Sequence, residues 1–386
     1  AKPSIGPREE QLVLDALRSG WVSSIGKYID EFEAAFARYC QVDYALAVTN
    51  GTAALHLALV ALNIGPGDEV ILPDFTFVAT ANAVRYTGAT PVFADIDPET
   101  LCIDPGSAEN LITRATKAII PVHIYGHPAD MDALSEIARV HDLVLIEDAA
   151  EAHGAEHRGR RVGSLGKCGT FSFYGNKIIT TGEGGAFTTS DRNLYLRAKS
   201  LRDHAMSPTQ RYYHDECGFN YRMTNLQAAL GLAQMERIED FLFKRAEIMS
   251  WYRSAVVTSE TIRLNRVRED VRNVYWMICL EVDWLDEARR DELMNELMGR
   301  GIDTRPYFRT MSSLPMYKQT PQPVAGRKAQ IGLNLPSYVE LTQADVGRIA
   351  SVVNELLTEM RPNAAGGPAK ILSAVTSAAG APLGSG

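Results

Sequence analysis

The sequence predicts an α/β protein: a large domain built on a mainly parallel sheet, followed by a small α+β domain. Three observations predict it. Between residues 44 and 147 short apolar runs alternate with stretches of helical periodicity, and strand–helix–strand repeated at that spacing builds a parallel sheet covered by helices on both faces. From about residue 241 the pattern changes to helix, strand and helix without that alternation. The chain of 386 residues is 46% hydrophobic and 22% charged, an ordinary globular composition long enough for two domains with sizeable cores.

Taken in order, residues 8–20 and 29–40 carry helical spacing (Leu12, Leu14, Leu17; Ile29, Phe32, Phe36) and flank a loop at Gly20-Trp21-Val22-Ser23-Ser24, a lid or wall. Strands follow at 44–48, 69–73, 91–95, 118–122 and 143–147, with helices from Thr52, Val78 and Asp130. Residues 45–67 hold no Asp, Glu, Lys or Arg over a membrane-spanning length, but Asn50-Gly51 interrupts them, so they read as strand, turn and helix, with no membrane partner. The small domain has a strand at 274–282, a helix at 286–300, a strand at 302–305 and a closing helix. Thr342 and Asp345 cap that last helix. The expected division is 1–240, 241–361, and a disordered tail at 362–386 dominated by Ala, Gly, Ser and Pro.

The net charge of −8 and the lack of a basic run argue against a nucleic-acid partner, so an anionic ligand would have to be held by local donors. Five scattered cysteines form no CxxC pair, which fits a reducing cytoplasm and no structural zinc.

In a parallel sheet, ligands sit at the carboxyl ends of the strands. After the first strand, Gly51 permits a turn and the amides of Thr52 and Ala53 open a helix: a phosphate seat, or a plain helix cap by Asn50 or Thr52. Phe75 and Phe77 follow the second strand and either stack on a flat ring or fill the core. Asp148 emerges from a buried strand, where an unpaired carboxylate is expensive and needs a partner or a proton. Lys177 lies in 171–187, between an aromatic strand and a glycine-rich turn that leads to a second apolar strand. Together these parts suit pyridoxal 5'-phosphate (PLP): an amine to condense with its aldehyde and an aspartate to keep its ring nitrogen protonated.

Five motifs then carry a resemblance. They are Gly51-Thr52-Ala53-Ala54-Leu55-His56-Leu57, Phe77-Val78-Ala79-Thr80, Glu147-Asp148-Ala149-Ala150-Glu151-Ala152-His153-Gly154, the Lys177 stretch, and the run 218–229. In this order, from about residue 2 to 360, they resemble the DegT/DnrJ/EryC/StrS nucleotide-sugar aminotransferases, and the lysine stretch is similar to that of the perosamine-type members. The resemblance implies the PLP-dependent fold-type I architecture and a homodimer with shared active sites. It also implies amino transfer from L-glutamate, released as 2-oxoglutarate, to a nucleotide-linked keto sugar. Carried over by position, Lys177 is the cofactor-binding catalytic lysine, Asp148 pairs with the ring nitrogen and Glu151 lies near the ring hydroxyl. Gly51, Thr52, Ala53 and Ser172 hold the phosphate, Phe77 stacks on the ring, and Asn220 reaches the phosphate from the neighbouring subunit. His153 is left a structural role.

The sequence departs from the perosamine type at 309–312, where Arg309, Thr310 and Ser312 replace an aromatic, a proline and a histidine. Tyr307, Arg309, Met311 and Ser312 are therefore the expected sugar-side residues, with room for a bulkier acceptor. Lys177 speaks against a keto-sugar dehydratase, which carries histidine there. A keto-cyclitol aminotransferase uses the same machinery, and a ligand-sensing module without turnover would not need Lys177 and Asp148.

Overall fold

A computed structural model describes residues 3–317, 319–320 and 322–362; the tail expected at 362–386 lies, beyond Pro362, outside the described residues. The first half runs α1 (Pro7–Arg18), α2 (Lys27–Cys40), β1 (Tyr44–Val48), α3 (Gly51–Ala61), β2 (Glu69–Pro73), α4 (Ala79–Tyr86), β3 (Thr90–Ala94), α5 (Pro105–Asn110), β4 (Thr116–Ile119), α6 (Met131–His141) and β5 (Val144–Asp148). There follow β6 (Glu156–His157), β7 (Arg160–Arg161), β8 (Cys168–Ser172), β9 (Gly185–Thr189), α7 (Arg192–Arg202), α8 (Asn225–Met235) and α9 (Ile238–Ala255). The remainder is β10 (Ile262–Leu264), β11 (Val271–Arg272), β12 (Ile278–Val282), α10 (Glu287–Gly299), β13 (Arg305–Pro306), α11 (Pro323–Ile331), β14 (Gly332–Leu335) and α12 (Gln343–Glu359).

The large sheet has seven strands in the order β1-β9-β8-β5-β4-β2-β3. Only β9 runs against the others, pairing antiparallel with both β1 and β8. The six co-directional strands therefore deliver Val48, Pro73, Ala94, Ile119, Asp148 and Ser172 to one edge. Buried clusters pack on both faces, one with Phe32, Phe36, Phe171 and Phe173, the other with Leu46, Leu55, Leu57 and Phe187. A four-stranded sheet, β10-β12-β14-β13, carries a third cluster with α12. Helix α9 belongs to two of these cores, giving Ile238, Phe241 and Leu242 to the first and Ile248, Met249 and Tyr252 to the third.

The helix caps act as expected: Thr342 and Asp345 form a reciprocal capping box at α12, and Asp130 caps α6. The loop at 20–24 is pinned to the start of α8, because Asn225 Nδ2 donates to Trp21 O at 2.7 Å and the Asn225 amide donates to Ser23 O at 2.6 Å. Residues 302–304, expected in a strand, precede β13, which is only two residues long.

Candidate active site

At the carboxyl edge of the large sheet lies a cavity of about 760 Å3. Gly51, Thr52, Ala53, Phe77, Asp148, Glu151, Ser172 and Lys177 all line it, so eight residues singled out from sequence converge on one space.

Helix α3 begins directly after β1, and Asn50 caps it by accepting the Ala53 amide at 2.8 Å. Both sequence readings of this turn therefore hold in part: the Ala53 amide is used by the cap, while those of Gly51 and Thr52 have no acceptor among the described residues. Close approach is built in. A Cβ on Gly51 would lie 2.8 Å from Ser172 Cβ, and one on Gly185 would lie 2.5 Å from the Asn50 carbonyl carbon. Only glycine lets the start of α3 sit against the end of β8, which brings two free amides and the Ser172 hydroxyl together at a helix N-terminus.

Strand β5 ends in Glu147-Asp148, whose side chains point to opposite faces. Glu147 faces away from the cavity and accepts the Gly163, Leu165 and Gly166 amides, each at 2.7 Å, and lies 3.0 Å from His123 Nε2. Asp148 faces the cavity. Its Oδ2 accepts the Thr80 hydroxyl at 2.7 Å and its Oδ1 the Ala150 amide at 3.2 Å. Burial pushes the carboxyl above its ordinary range despite those two donors and the field of Lys177. It lacks a cation in direct contact among the described residues.

Lys177 lies not on a strand but in the loop between β8 and β9, where its own amide bonds Tyr174 O at 2.9 Å. Its side chain is only 12% exposed, with Nζ 3.8 Å from Glu151 Oε1 and 3.9 Å from the Trp276 ring centre. Burial lowers the Lys177 pKa, outweighing the opposing fields of Glu151 and Asp148. Burial likewise pushes Glu151 up to about 7, although its Oε2 accepts the Tyr125 amide at 2.8 Å. Both trends favour neutral forms, an amine facing a carboxylic acid.

The two phenylalanines after β2 divide their roles: Phe75 is fully buried, while Phe77 is 54% exposed and lines the cavity beside Phe308. His153 is buried against Phe171 and Phe173, its pKa pushed down to about 3 by burial, with neither ring nitrogen bonded.

The expected sugar-side residues do not line this cavity. Past β13 the chain alternates, so Pro306 and Phe308 face the cavity while Tyr307 and Arg309 do not. Tyr307 is buried with its ring packed on Gly332, where a Cβ would be 2.1 Å away, and Arg309 is 70% exposed and bonds Glu287 at 2.8 Å. The segment then folds onto the end of β2. Met311 enters the core there, and the amide and hydroxyl of Ser312 both donate to Asp74 at 2.7 Å. Asn220 pairs with Asp203 on the exposed surface and does not touch this chain's own cavity.

Sequence reasoning gave no role to Thr80, Tyr125, Trp276 or Asn334, and singled out Arg305 only as part of the 305–317 segment expected on the sugar side; all five are in the cavity wall. Thr80 stood inside a quoted motif. Tyr125 could be found only from coordinates: its φ of +52° is a rare conformation for a bulky side chain, and it aims the amide at Glu151.

These donors fit PLP. Neutral N–H and O–H donors at a helix start suit a phosphate ester, an exposed aromatic suits a ring face, and a buried aspartate without a cation suits a pyridinium. The fold and site thus define a PLP-dependent aminotransferase. The chain belongs to the DegT/DnrJ/EryC1/StrS aminotransferase family, whose profile matches residues 3–354. It is 46% identical to GDP-perosamine synthase of Caulobacter vibrioides over 361 residues, covering 92% of this chain and 97% of that one. Against GDP-perosamine synthase of Escherichia coli O157:H7 it is 43% identical, over 93% of this chain and 98% of the other. Among solved structures, the PLP form of a sugar aminotransferase from Streptococcus pneumoniae superposes with a TM-score of 0.89 at 28% identity, over 94% of this chain and 98% of that one. DesV of S. venezuelae, solved with a ketimine intermediate, gives 0.84 at 38% identity over 90% and 94%.

Proposed function

We propose that the chain moves the amino group of L-glutamate to a keto group of a GDP-linked keto-deoxy sugar, as a cytoplasmic homodimer with shared sites. The observation that carries this reading is Lys177, a desolvated amine in the same cavity as Asp148 and the open start of α3. Identities of 40–46% to three GDP-perosamine synthases support the acceptor. No helix among the described residues is long and apolar enough to cross a membrane. In this reading a large cofactor-binding unit extends to about residue 240 and a smaller one covers 241–361.

Each residue then has a task. PLP, when bound, supplies an aldehyde that takes up amines and a ring that accepts electrons as a proton leaves the neighbouring carbon. Gly51, Thr52 and Ser172 would seat its phosphate, the Ala53 amide being taken by Asn50, and Phe77 would cover its ring. Asp148 holds a proton on the ring nitrogen, with Thr80 fixing the carboxylate's orientation. Glu151 would face the ring hydroxyl. Lys177 Nζ takes a proton from the donor carbon and returns one to the acceptor carbon, which requires an uncharged amine. Desolvation shifts it toward that form, and Trp276 and Glu151 flank it at 3.9 Å and 3.8 Å. Asn220 reaches the phosphate of the partner's site.

Running the reaction backwards tests the reading. With 2-oxoglutarate and a panel of GDP-, dTDP- and UDP-linked amino sugars and free amino cyclitols, glutamate should form fastest with a GDP-linked amino sugar. Lys177→Ala should form none. Turnover confined to another nucleotide or to a cyclitol would replace the acceptor.

A further inference from the structure

A second cavity of about 220 Å3 adjoins the first, and Asn176, Trp276, Met277, Arg305 and Asn334 line both. The junction is next to the reactive lysine. Asn176 immediately precedes Lys177, its carbonyl accepts the Trp276 indole N–H at 2.8 Å, and its side-chain oxygen is buried without a partner. The smaller space is below the roughly 300–1,000 Å3 of a whole-ligand site, so it suits one arm of a ligand whose reacting end lies at Lys177.

Its charges indicate which arm. Arg305, on β13 opposite Asn334, is exposed, and its guanidinium makes no hydrogen bond or ion pair among the described residues. The other arginines in the wall are engaged. Arg245 donates to the carbonyls of Trp276 and Ser337, both at 3.0 Å, and Arg348 donates to Arg300 O at 3.4 Å. Of the two acidic residues in the wall, Asp345 is occupied in capping α12, leaving Asp303. A guanidinium is a planar fork that matches a carboxylate in two parallel hydrogen bonds.

We propose that the smaller cavity receives the distal carboxylate of the amino donor, with Arg305 as its ion partner. This rests on the aminotransferase reading above and adds the residue that selects a dicarboxylic donor. Asn176, next to Lys177 in the chain, and Trp276, 3.9 Å from Lys177 Nζ, line both spaces, so a donor whose amine lies at Lys177 has the smaller cavity beside it.

The test follows the donor half-reaction of the PLP-loaded protein by absorbance, with L-glutamate and L-alanine as donors, and measures inhibition by glutarate. Arg305→Ala should lower the rate constant for glutamate about 10- to 100-fold, the loss expected for a charge-assisted pair, and leave that for alanine within about twofold. The glutarate inhibition constant should rise in parallel, and Arg305→Lys should fall between the two. An unchanged cofactor spectrum shows that the variants keep the site intact. Equal losses on both donors would overturn the proposal, as would a defect confined to the nucleotide-sugar half-reaction, which would give Arg305 to the acceptor. Glutarate binding needs no acceptor and no turnover, so a wild-type chain that aminates no nucleotide sugar would refute only the acceptor assignment.

Discussion

At the scale of single residues, the site works by withholding water from three ionisable groups. Glu151 and Asp148 are buried and Lys177 nearly so, and desolvation is the largest influence on each, above the attraction between Lys177 and the two carboxylates. Glu151 gives the sign of a pH effect. Its folded pKa, about 7, is above the ordinary value of 4.5, so its contribution to stability is fully present below 4.5 and is lost as pH rises through 7. In the cofactor-free protein, Glu151→Gln should therefore gain melting temperature relative to wild type as pH rises from about 4.5 to 7. Calorimetric melts at half-unit steps check this, and a difference that stays flat or shrinks with pH would refute the ionisation assigned to Glu151. Lys177 and Asp148 were legible because each stands in a short stretch whose chemistry is local. Trp276 was not, since nothing within ten residues of it hints that it packs on a lysine 99 positions earlier.

At the scale of elements, period and punctuation located eight helices and most parallel strands to within a few residues but gave no sign of α5, α7, α8 and α11, and Asn50-Gly51 marked the turn that matters most. In the large sheet the one antiparallel strand, β9, was not legible in orientation, because its apolar run fits either direction. The segment after β13 was misjudged for a related reason: alternation decides which side chains enter the cavity, and its phase depends on pairing with β14, 27 or more residues later. Ser312 consequently belongs to a latch on Asp74, which also accepts the Gln322 amide at 3.2 Å. Ser312→Ala should cost about 1–3 kcal/mol of stability by removing a bond to a buried carboxylate, while KM for the nucleotide sugar stays within about twofold. Ser312→His, which restores the perosamine-type residue, should destabilise at least as much, because the site is closed. Urea denaturation with parallel kinetics decides it. A shift in KM at unchanged stability would return Ser312 to the substrate.

At the scale of the whole molecule, the proposed homodimer makes a prediction about the rim of the cavity. Phe77, Tyr86 and Tyr174 line it and are each at least half exposed, an apolar rim that a second subunit would cover. Asn220 is exposed and away from its own chain's cavity, where a side chain serving the partner's phosphate would be placed. In a two-fold dimer a complete site then takes Lys177 from one subunit and Asn220 from the other. Lys177→Ala should be inactive, and Asn220→Ala should bind PLP more weakly with little activity. Co-expressed in equal amounts, they pair at random and half the dimers are mixed; each mixed dimer has one site with both residues intact and one with neither. Activity should therefore recover to roughly a quarter of wild type, although Lys177→Ala alone is inactive and Asn220→Ala alone nearly so. Light scattering on the same samples confirms that dimers form. Dimers without recovery would mean that Asn220 does not cross the interface, and each chain would have to seat the phosphate with Gly51, Thr52 and Ser172 alone.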